Sequence, residues 1–182
     1  MRRLLFIAAL CLLAFASTGC KKAQLRRQLY SIIDRRIDFP KEVVCVSNGR
    51  VYPLPDSVRR KAKMIIYIDS SECHTCRLSH LFEYDKLFQL SQKEKCFEFV
   101  FMLGNTHFGG ITLSQYLSDL ELPYPVCIDV NGVFFRSNAF IPKDTRFHSL
   151  FVNAEDHVVF VGDPIVNQRV MPMLQKVVSN VN

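Results

Sequence analysis

Residues 64–77 read MIIYIDSSECHTCR, and this stretch decides the fold that the sequence predicts. It opens with a continuous apolar run, Met64–Ile68, whose β-branched side chains are typical of a buried strand. Ser70 and Ser71 follow, and serine is a favoured residue at the N-cap of a helix. Beyond Cys76, apolar residues recur at helical spacing. The stretch therefore predicts a strand, a short turn and a helix that begins with a Cys-x-x-Cys pair.

The two cysteines have the placement of a reactive dithiol. Cys73 falls in the first turn of the predicted helix, where the helix dipole and unpaired N–H groups favour thiolate over thiol. Cys76, one turn deeper, can resolve a mixed disulfide formed at Cys73. Protonated His74 would stabilise the thiolate and Glu72 would oppose it. His74 and Thr75 together tune the reduction potential, but they do not fix the direction of exchange.

Composition and charge favour a globular protein that does not bind nucleic acid. The chain has 182 residues, of which 49% are hydrophobic and 12% aromatic, enough for one domain with a core. Its formal net charge is +6, and basic residues cluster within residues 21–36 and 59–63. Such clusters can attract anionic lipid or nucleic acid. Because no nucleic-acid motif is present, we interpret them as a solvated basic stalk near a membrane.

The N-terminal residues predict export and a lipid anchor. A pair of arginines precedes an apolar segment, residues 4–16, and small residues follow it. This is the pattern of a signal peptide, here residues 1–19, and it is too short for a stable transmembrane helix. The Gly-Cys that ends it resembles the lipobox of bacterial lipoproteins, although Ser17 stands where leucine is commonest. The resemblance implies an acylated Cys20 (palmitate among its chains) and a periplasm-facing protein of the bacterial envelope. Plain secretion after cleavage near Ala16 is the alternative.

Three cysteines remain outside the leader, the lipobox and the Cys-x-x-Cys pair. Cys45, Cys96 and Cys127 lie within or beside strand-like apolar runs, and we interpret them as small buried hydrophobic residues. Export would bring them into an oxidising compartment. The odd number of mature cysteines does not indicate a disulfide scaffold, but a structural bridge among these three stays open.

The whole pattern predicts an α/β fold, a mixed central β-sheet flanked by helices. Residues 20–61 form an N-terminal extension with an amphipathic helix and a hairpin that turns at Asn48-Gly49. Residues 57–63 are interpreted as a charged connector. Residues 62–182 form the main domain, which continues after the first helix with two apolar strands, a hairpin at residues 147–161 and a C-terminal helix.

This order of elements resembles the thioredoxin fold over about residues 62–182. With the lipoprotein leader, the chain resembles the membrane-anchored thioredoxin-like thiol-disulfide oxidoreductases of the bacterial envelope, Bacteroidetes type. The resemblance implies that Cys73 is the nucleophile and Cys76 the resolving cysteine, with no cofactor. It also implies exported client proteins with thiols or disulfides, and an unidentified membrane electron donor or acceptor.

The sequence departs from that family at three positions. Glu72 stands where the family usually has an aromatic residue, and Tyr67 stands where thioredoxins carry a buried acid. Phe147 matches the position of the family's cis-proline, with Pro142 the nearest proline. Either Pro142 supplies the loop through an insertion or the cis-proline is absent. His148, beside Phe147, would face the cysteines and tune their pKa, or it is a strand histidine at the sheet edge.

Two other functions use the same cysteines. In the first, Cys73, Cys76 and His80 bind Cu(I) or Zn(II), since thiolates and imidazole suit both ions and His80 lies one turn after Cys76. In the second, the fold is a non-catalytic binding module in which Cys73 and Cys76 form a static bridge.

Overall fold

The computed structural model describes residues 21–69, 81–104, 107–108, 111–112, 115, 117 and 120–181. The predicted signal peptide, Cys20 and the Cys-x-x-Cys segment lie outside these residues. The chain divides into a first unit that ends at Ile32 and a second unit, Ile33–Asn182. The described residues of the first unit form the helix expected in the extension, α1, over residues 21–32.

None of the helices formed by the described residues is long and apolar enough to cross a bilayer.

The second unit alternates strands and helices. Its elements are β1 (Val44–Ser47), β2 (Arg50–Pro53), α2 (Asp56–Arg60), β3 (Ala62–Ile68), α3 (Asp85–Glu94), β4 (Phe97–Gly104), β5 (His107–Phe108), β6 (Ile111–Thr112), β7 (Val126–Asp129), α4 (Val133–Ser137), β8 (Ser149–Val152), β9 (Val158–Val161) and α5 (Met171–Ser179). Short 3₁₀ helices lie at Leu81–Tyr84, Val130–Gly132, Thr145–Phe147 and Gln168–Val170.

Among the described residues, seven strands form one mixed sheet in the order β2-β1-β7-β4-β3-β8-β9. β4 lies between β3 and β7 and is parallel to both, whereas β1 and β8 run antiparallel to their neighbours β7 and β3. The hairpin expected in the N-terminal extension is therefore part of this sheet. Its turn residues Asn48 and Gly49 have positive φ angles of 48° and 70°, the conformation that a two-residue hairpin turn requires.

Both faces of the sheet are covered, as the continuous burial of all seven β3 residues shows. The apolar face, on which Met64, Ile66 and Ile68 of β3 lie, packs against α3 and α5 in the main hydrophobic core. The mixed face is the opposite one, and Lys63 and Tyr67 of β3 lie on it because successive side chains alternate. The interpretation of residues 57–63 as a charged connector is wrong for its last residues, because β3 begins at Ala62 and Lys63 is a fully buried strand residue.

The late hairpin begins two residues later than predicted. β8 begins at Ser149, so Phe147 ends a 3₁₀ turn and His148 is the residue between that turn and the strand. β8 lies between β3 and β9 in the sheet. The interpretation of His148 as a strand histidine at the sheet edge is therefore wrong.

Candidate active site

The candidate site lies at the carboxyl end of β3, where the Cys-x-x-Cys segment begins. Residues 70–80, which carry Glu72, Cys73, His74, Thr75, Cys76 and His80, lie outside the described residues. The described part of the site consists of the groups that surround the end of β3 and of the segment that begins at Leu81.

The described chain resumes in a firmly held segment. Leu81 is fully buried, and its carbonyl accepts a hydrogen bond from the Tyr124 hydroxyl. One turn later the Tyr84 hydroxyl donates to Asp163 at 2.7 Å. Asp163 in turn accepts hydrogen bonds from the backbone N–H groups of Ile165 and Val166. The 3₁₀ helix that leads into α3 is thus tied to the loop after β9.

Tyr67, which the sequence match assigns to the position of the buried acid of thioredoxins, contacts a buried carboxylate from another strand. Its hydroxyl donates to an Asp129 carboxylate oxygen at 3.0 Å, and the other oxygen of Asp129 accepts from the Phe134 N–H at 2.9 Å. Asp129, the last residue of β7, is fully buried. Burial raises the pKa of the Tyr67 hydroxyl, and the Asp129 carboxylate raises it further, so Tyr67 stays a hydrogen-bond donor.

His148, at the end of the turn that precedes β8, packs against Tyr67. Its ring meets the Tyr67 ring edge-on at 5.9 Å and the Phe135 ring at 4.9 Å, and the side chain is 2% exposed. Its Nε2–H donates to the Pro142 carbonyl at 3.0 Å, and its own carbonyl accepts from the Tyr67 N–H. His148 is therefore fixed beside the end of β3 by contacts on both its backbone and its ring.

The proline positions differ from the family pattern. Phe147, which the sequence match assigns to the cis-proline position, is 5% exposed. No peptide bond among the described residues is cis, and this includes the bond before Pro142. Of the two possibilities left open by the sequence, the absence of a cis-proline is the one found in this part of the chain. Pro142 instead contributes its carbonyl to His148.

The side chain of Asp144 caps the 3₁₀ turn that leads to Phe147 and His148. Asp144 accepts from the Arg146 N–H at 3.1 Å, and its oxygens also pair with the Arg146 guanidinium. The hydrogen bond from that guanidinium is the main cause that lowers the pKa of Asp144. This exposed ion pair stabilises the 3₁₀ turn immediately before the buried histidine.

Sequence reasoning missed Asp129 and Asp163. Asp129 is the last residue of the apolar strand β7 and Asp163 lies two residues after the apolar strand β9, and a carboxylate that follows an apolar run is the local signal that both share. The interpretation of Cys45 and Cys127 as buried residues is confirmed, at 1% and 3% exposure, whereas Cys96 is half-buried. No cluster of three metal-ligating side chains occurs among the described residues, which do not include the alternative set around His80.

The fold is similar to several solved structures, although no protein-family model and no curated protein matches the sequence. A Chlorobium tepidum protein provisionally assigned as a thiol:disulfide interchange protein DsbE shares 18% identity and a TM-score of 0.53, covering 82% of this chain and 99% of its own. A Bacteroides thetaiotaomicron protein provisionally assigned as a protein disulfide isomerase shares 17% identity and a TM-score of 0.54, covering 80% and 87%.

A third structure, AhpC from Enterococcus faecalis, shares 14% identity and a TM-score of 0.53, covering 82% of this chain and 95% of its own. Its TM-score equals that of the Chlorobium tepidum protein, although the two proteins carry different functional names. The chain thus has a thioredoxin-like α/β fold, as its sequence predicted. Because one fold hosts several activities, the fold alone does not define the reaction.

Proposed function

We propose that the protein is a thiol-disulfide oxidoreductase of the bacterial envelope, with Cys73 and Cys76 as its redox pair. The observation that carries the proposal is the position of the Cys-x-x-Cys in the chain. It follows β3, an interior strand of a thioredoxin-like sheet, and precedes the buried helical segment at Leu81. Two structures of similar fold carry provisional names for this chemistry.

The reaction is a pair of exchange steps. The Cys73 thiolate attacks one sulfur of a client disulfide, that S–S bond breaks, and one client thiolate leaves. The Cys76 thiolate then attacks the Cys73 sulfur of the mixed disulfide and releases the second client thiolate. The client is reduced to two thiols and the Cys73–Cys76 pair is oxidised to a disulfide. The reverse sequence oxidises a client, and a partner dithiol or disulfide at the membrane resets the pair.

The groups around the end of β3 suit this chemistry. Tyr67, Phe135 and His148 form an aromatic wall in which Tyr67 and His148 are buried and Phe135 is half-buried, and Asp129 is a fully buried carboxylate behind it. We propose Phe147 and His148 as tuning residues because they end the turn that packs on β3. Low dielectric around a dithiol strengthens the effect of each neighbouring charge on thiolate stability.

The location follows from the leader. Cleavage after residue 19 and acylation of Cys20 would anchor the protein in a membrane and present the fold to exported clients. The basic residues that follow Cys20 would lie near the lipid headgroups. A leader ending in Gly-Cys is the support for this part of the proposal.

Redox titration in glutathione buffers tests the exchange reaction. We expect reversible two-electron behaviour of the mature protein, read as mass shifts after alkylation. Cys73→Ser and Cys76→Ser should each abolish the redox-dependent mass shift of the peptide that carries residues 73 and 76, and Cys96→Ser should retain it. Cys76→Ser should also trap mixed disulfides with clients, because Cys73 then lacks its resolving thiol.

Two results would contradict the proposal. A Cys73–Cys76 pair that stays oxidised through mild reductant would indicate a static bridge and a binding module. Protection from alkylation only when Cu(I) or Zn(II) is added, lost on His80→Ala, would indicate the metal site instead.

A further inference from the structure

A second pair of cysteines lies inside the sheet, away from the Cys-x-x-Cys segment. Cys45 of β1 and Cys127 of β7 are directly opposite each other in the antiparallel register of these strands. The two cysteines are far apart in the sequence. Their juxtaposition depends on the N-terminal hairpin adding to the β7 edge of the main sheet.

The register brings the two residues to the backbone spacing of a cross-strand bridge, and in the structure both cysteines are free thiols. Directly opposite residues of an antiparallel pair have Cα atoms about 4.5–5.5 Å apart, which falls within the range of disulfides, about 4.4–6.8 Å. Their side chains also point to the same face of the sheet. The Cys127 thiol is in hydrogen-bonding contact with Cys45, and this contact together with burial raises the pKa of Cys127 well above its usual range.

The surroundings shield the pair from solvent. On one side Tyr52 is the strand partner of Cys45, and on the other Met102 is the strand partner of Cys127. Cys45 and Cys127 are 1% and 3% exposed. A reagent can therefore reach these sulfurs before the hairpin has joined the sheet, or when it opens, more readily than in the closed fold.

We propose that Cys45 and Cys127 form an intramolecular cross-strand disulfide that joins the N-terminal hairpin to the thioredoxin-like sheet. The oxidant is a low-molecular-weight disulfide such as oxidised glutathione. One cysteine thiolate attacks it, its S–S bond breaks and one thiolate leaves. The second cysteine thiolate attacks the mixed disulfide and displaces the other. Two cysteine thiols lose two electrons and two protons, and the oxidant becomes two thiols.

The bond closes a loop of about 80 residues, and a loop of this length strongly constrains the unfolded chain. The oxidised form should consequently resist denaturant better than the reduced form. This inference does not depend on the exchange reaction proposed for Cys73 and Cys76, because those residues can be replaced in the test.

The test uses the full protein in which the other reactive cysteines are serine, leaving Cys45, Cys127 and Cys96. The replaced positions are Cys11, Cys20, Cys73 and Cys76. The protein is refolded in a mixture of oxidised and reduced glutathione or in excess reductant, then unfolded and alkylated with N-ethylmaleimide. We expect only Cys96 to be labelled after oxidative refolding, and all three cysteines after refolding in reductant. Peptide mapping should recover one linked pair that contains Cys45 and Cys127.

A denaturation series supplies the second readout. The urea midpoint should be higher for the oxidised than for the reduced protein, and Cys45→Val/Cys127→Val should remove this difference while placing apolar side chains with high strand propensity at both positions. Cys96→Ala is the matched control and should preserve the difference. Full labelling of Cys45 and Cys127 after oxidative refolding, or a linked peptide containing Cys96, would overturn the proposal.

Discussion

The apolar face and the mixed face of the sheet are both buried along β3, but they bury different kinds of side chain. On the apolar face, Met64, Ile66 and Phe101 meet other apolar side chains in one continuous cluster. On the mixed face, Lys63 and Asp129 are fully buried charged residues. Lys63 pairs with Asp156 at 2.6 Å, and Asp129 accepts from Tyr67 at 3.0 Å.

This difference determines how each face responds to substitution. Apolar contacts are individually weak and numerous, so their loss is shared among neighbours. A buried charge depends on one or two partners, and removing a partner leaves the charge without compensation. The mixed face is also the side on which the candidate active-site groups Tyr67 and His148 meet. Single polar substitutions there should therefore affect stability more than their small change in volume suggests.

We expect the largest effect at the Lys63–Asp156 pair of the mixed face, because the charged side chain of Lys63 is fully buried. Asp156→Asn keeps the shape of the turn residue but removes the charge opposite a Lys63 side chain that is 0% exposed. We expect a loss of about 3 kcal/mol in the free energy of unfolding, measured by urea denaturation at pH 7. Lys63→Met should cost less, because the carboxylate then left behind is partly exposed and lies 3.9 Å from Arg36.

A more exposed pair near the start of β3 supplies the control. Lys61 and Glu98 lie 2.9 Å apart with side chains that are 47% and 23% exposed. Glu98→Gln should therefore cost less than about 1 kcal/mol. Equal losses for Asp156→Asn and Glu98→Gln would mean that burial of Lys63 is not what makes its pair important.

The second prediction compares one tyrosine from each face. Tyr67→Phe keeps the ring contacts with Phe134 and Phe135 and removes the hydrogen bond to buried Asp129. We expect a loss of about 2 kcal/mol in unfolding free energy, because a buried carboxylate loses one of its donors.

Tyr124→Phe is the matched variant from the apolar face. The Tyr124 hydroxyl donates to a neutral backbone carbonyl, that of Leu81. A neutral hydrogen bond is worth less, so this variant should lose about 1 kcal/mol. If Tyr124→Phe were the more damaging of the two in parallel urea titrations, the carboxylate of Asp129 would not be the source of the effect.

The sequence predicted the apolar face better than the mixed face. Continuous apolar runs identified β3 and β4, and Asn48-Gly49 identified the β1–β2 hairpin, because these signals are local. The contacts of the mixed face are not local: Lys63 meets Asp156 from 93 positions away, and Tyr67 meets Asp129 from 62. A lysine beside other basic residues gives no sign that it enters a buried strand.

The candidate site divides in the same way. The Cys-x-x-Cys pair is a local motif that the sequence shows directly. Phe147 and His148 were predicted by matching the sequence to the family pattern. Asp129 was missed because its role depends on β7 and β3 lying on opposite sides of β4, which only the sheet order reveals. A bridge among Cys45, Cys96 and Cys127 stayed open in the sequence, and which two of them face each other could not be predicted because it requires the register of β1 on β7.

The smallest effect is expected at the exposed rim of the site, where Asp144 pairs with Arg146. The pKa of Asp144 is lowered in the folded protein, so its ionised form stabilises the fold above the pKa of the unfolded state, near 4. This contribution is lost as the pH falls through the lower folded pKa.

Asp144→Asn keeps a capping oxygen and removes only the charge. Because exposed pairs contribute about 0–1 kcal/mol, Asp144→Asn should lower the urea midpoint slightly at pH 7 and not at all at pH values below the folded pKa. A difference from wild type that persisted in acid would show that the side chain acts through its shape, and the contrast between exposed and buried carboxylates would then not depend on charge.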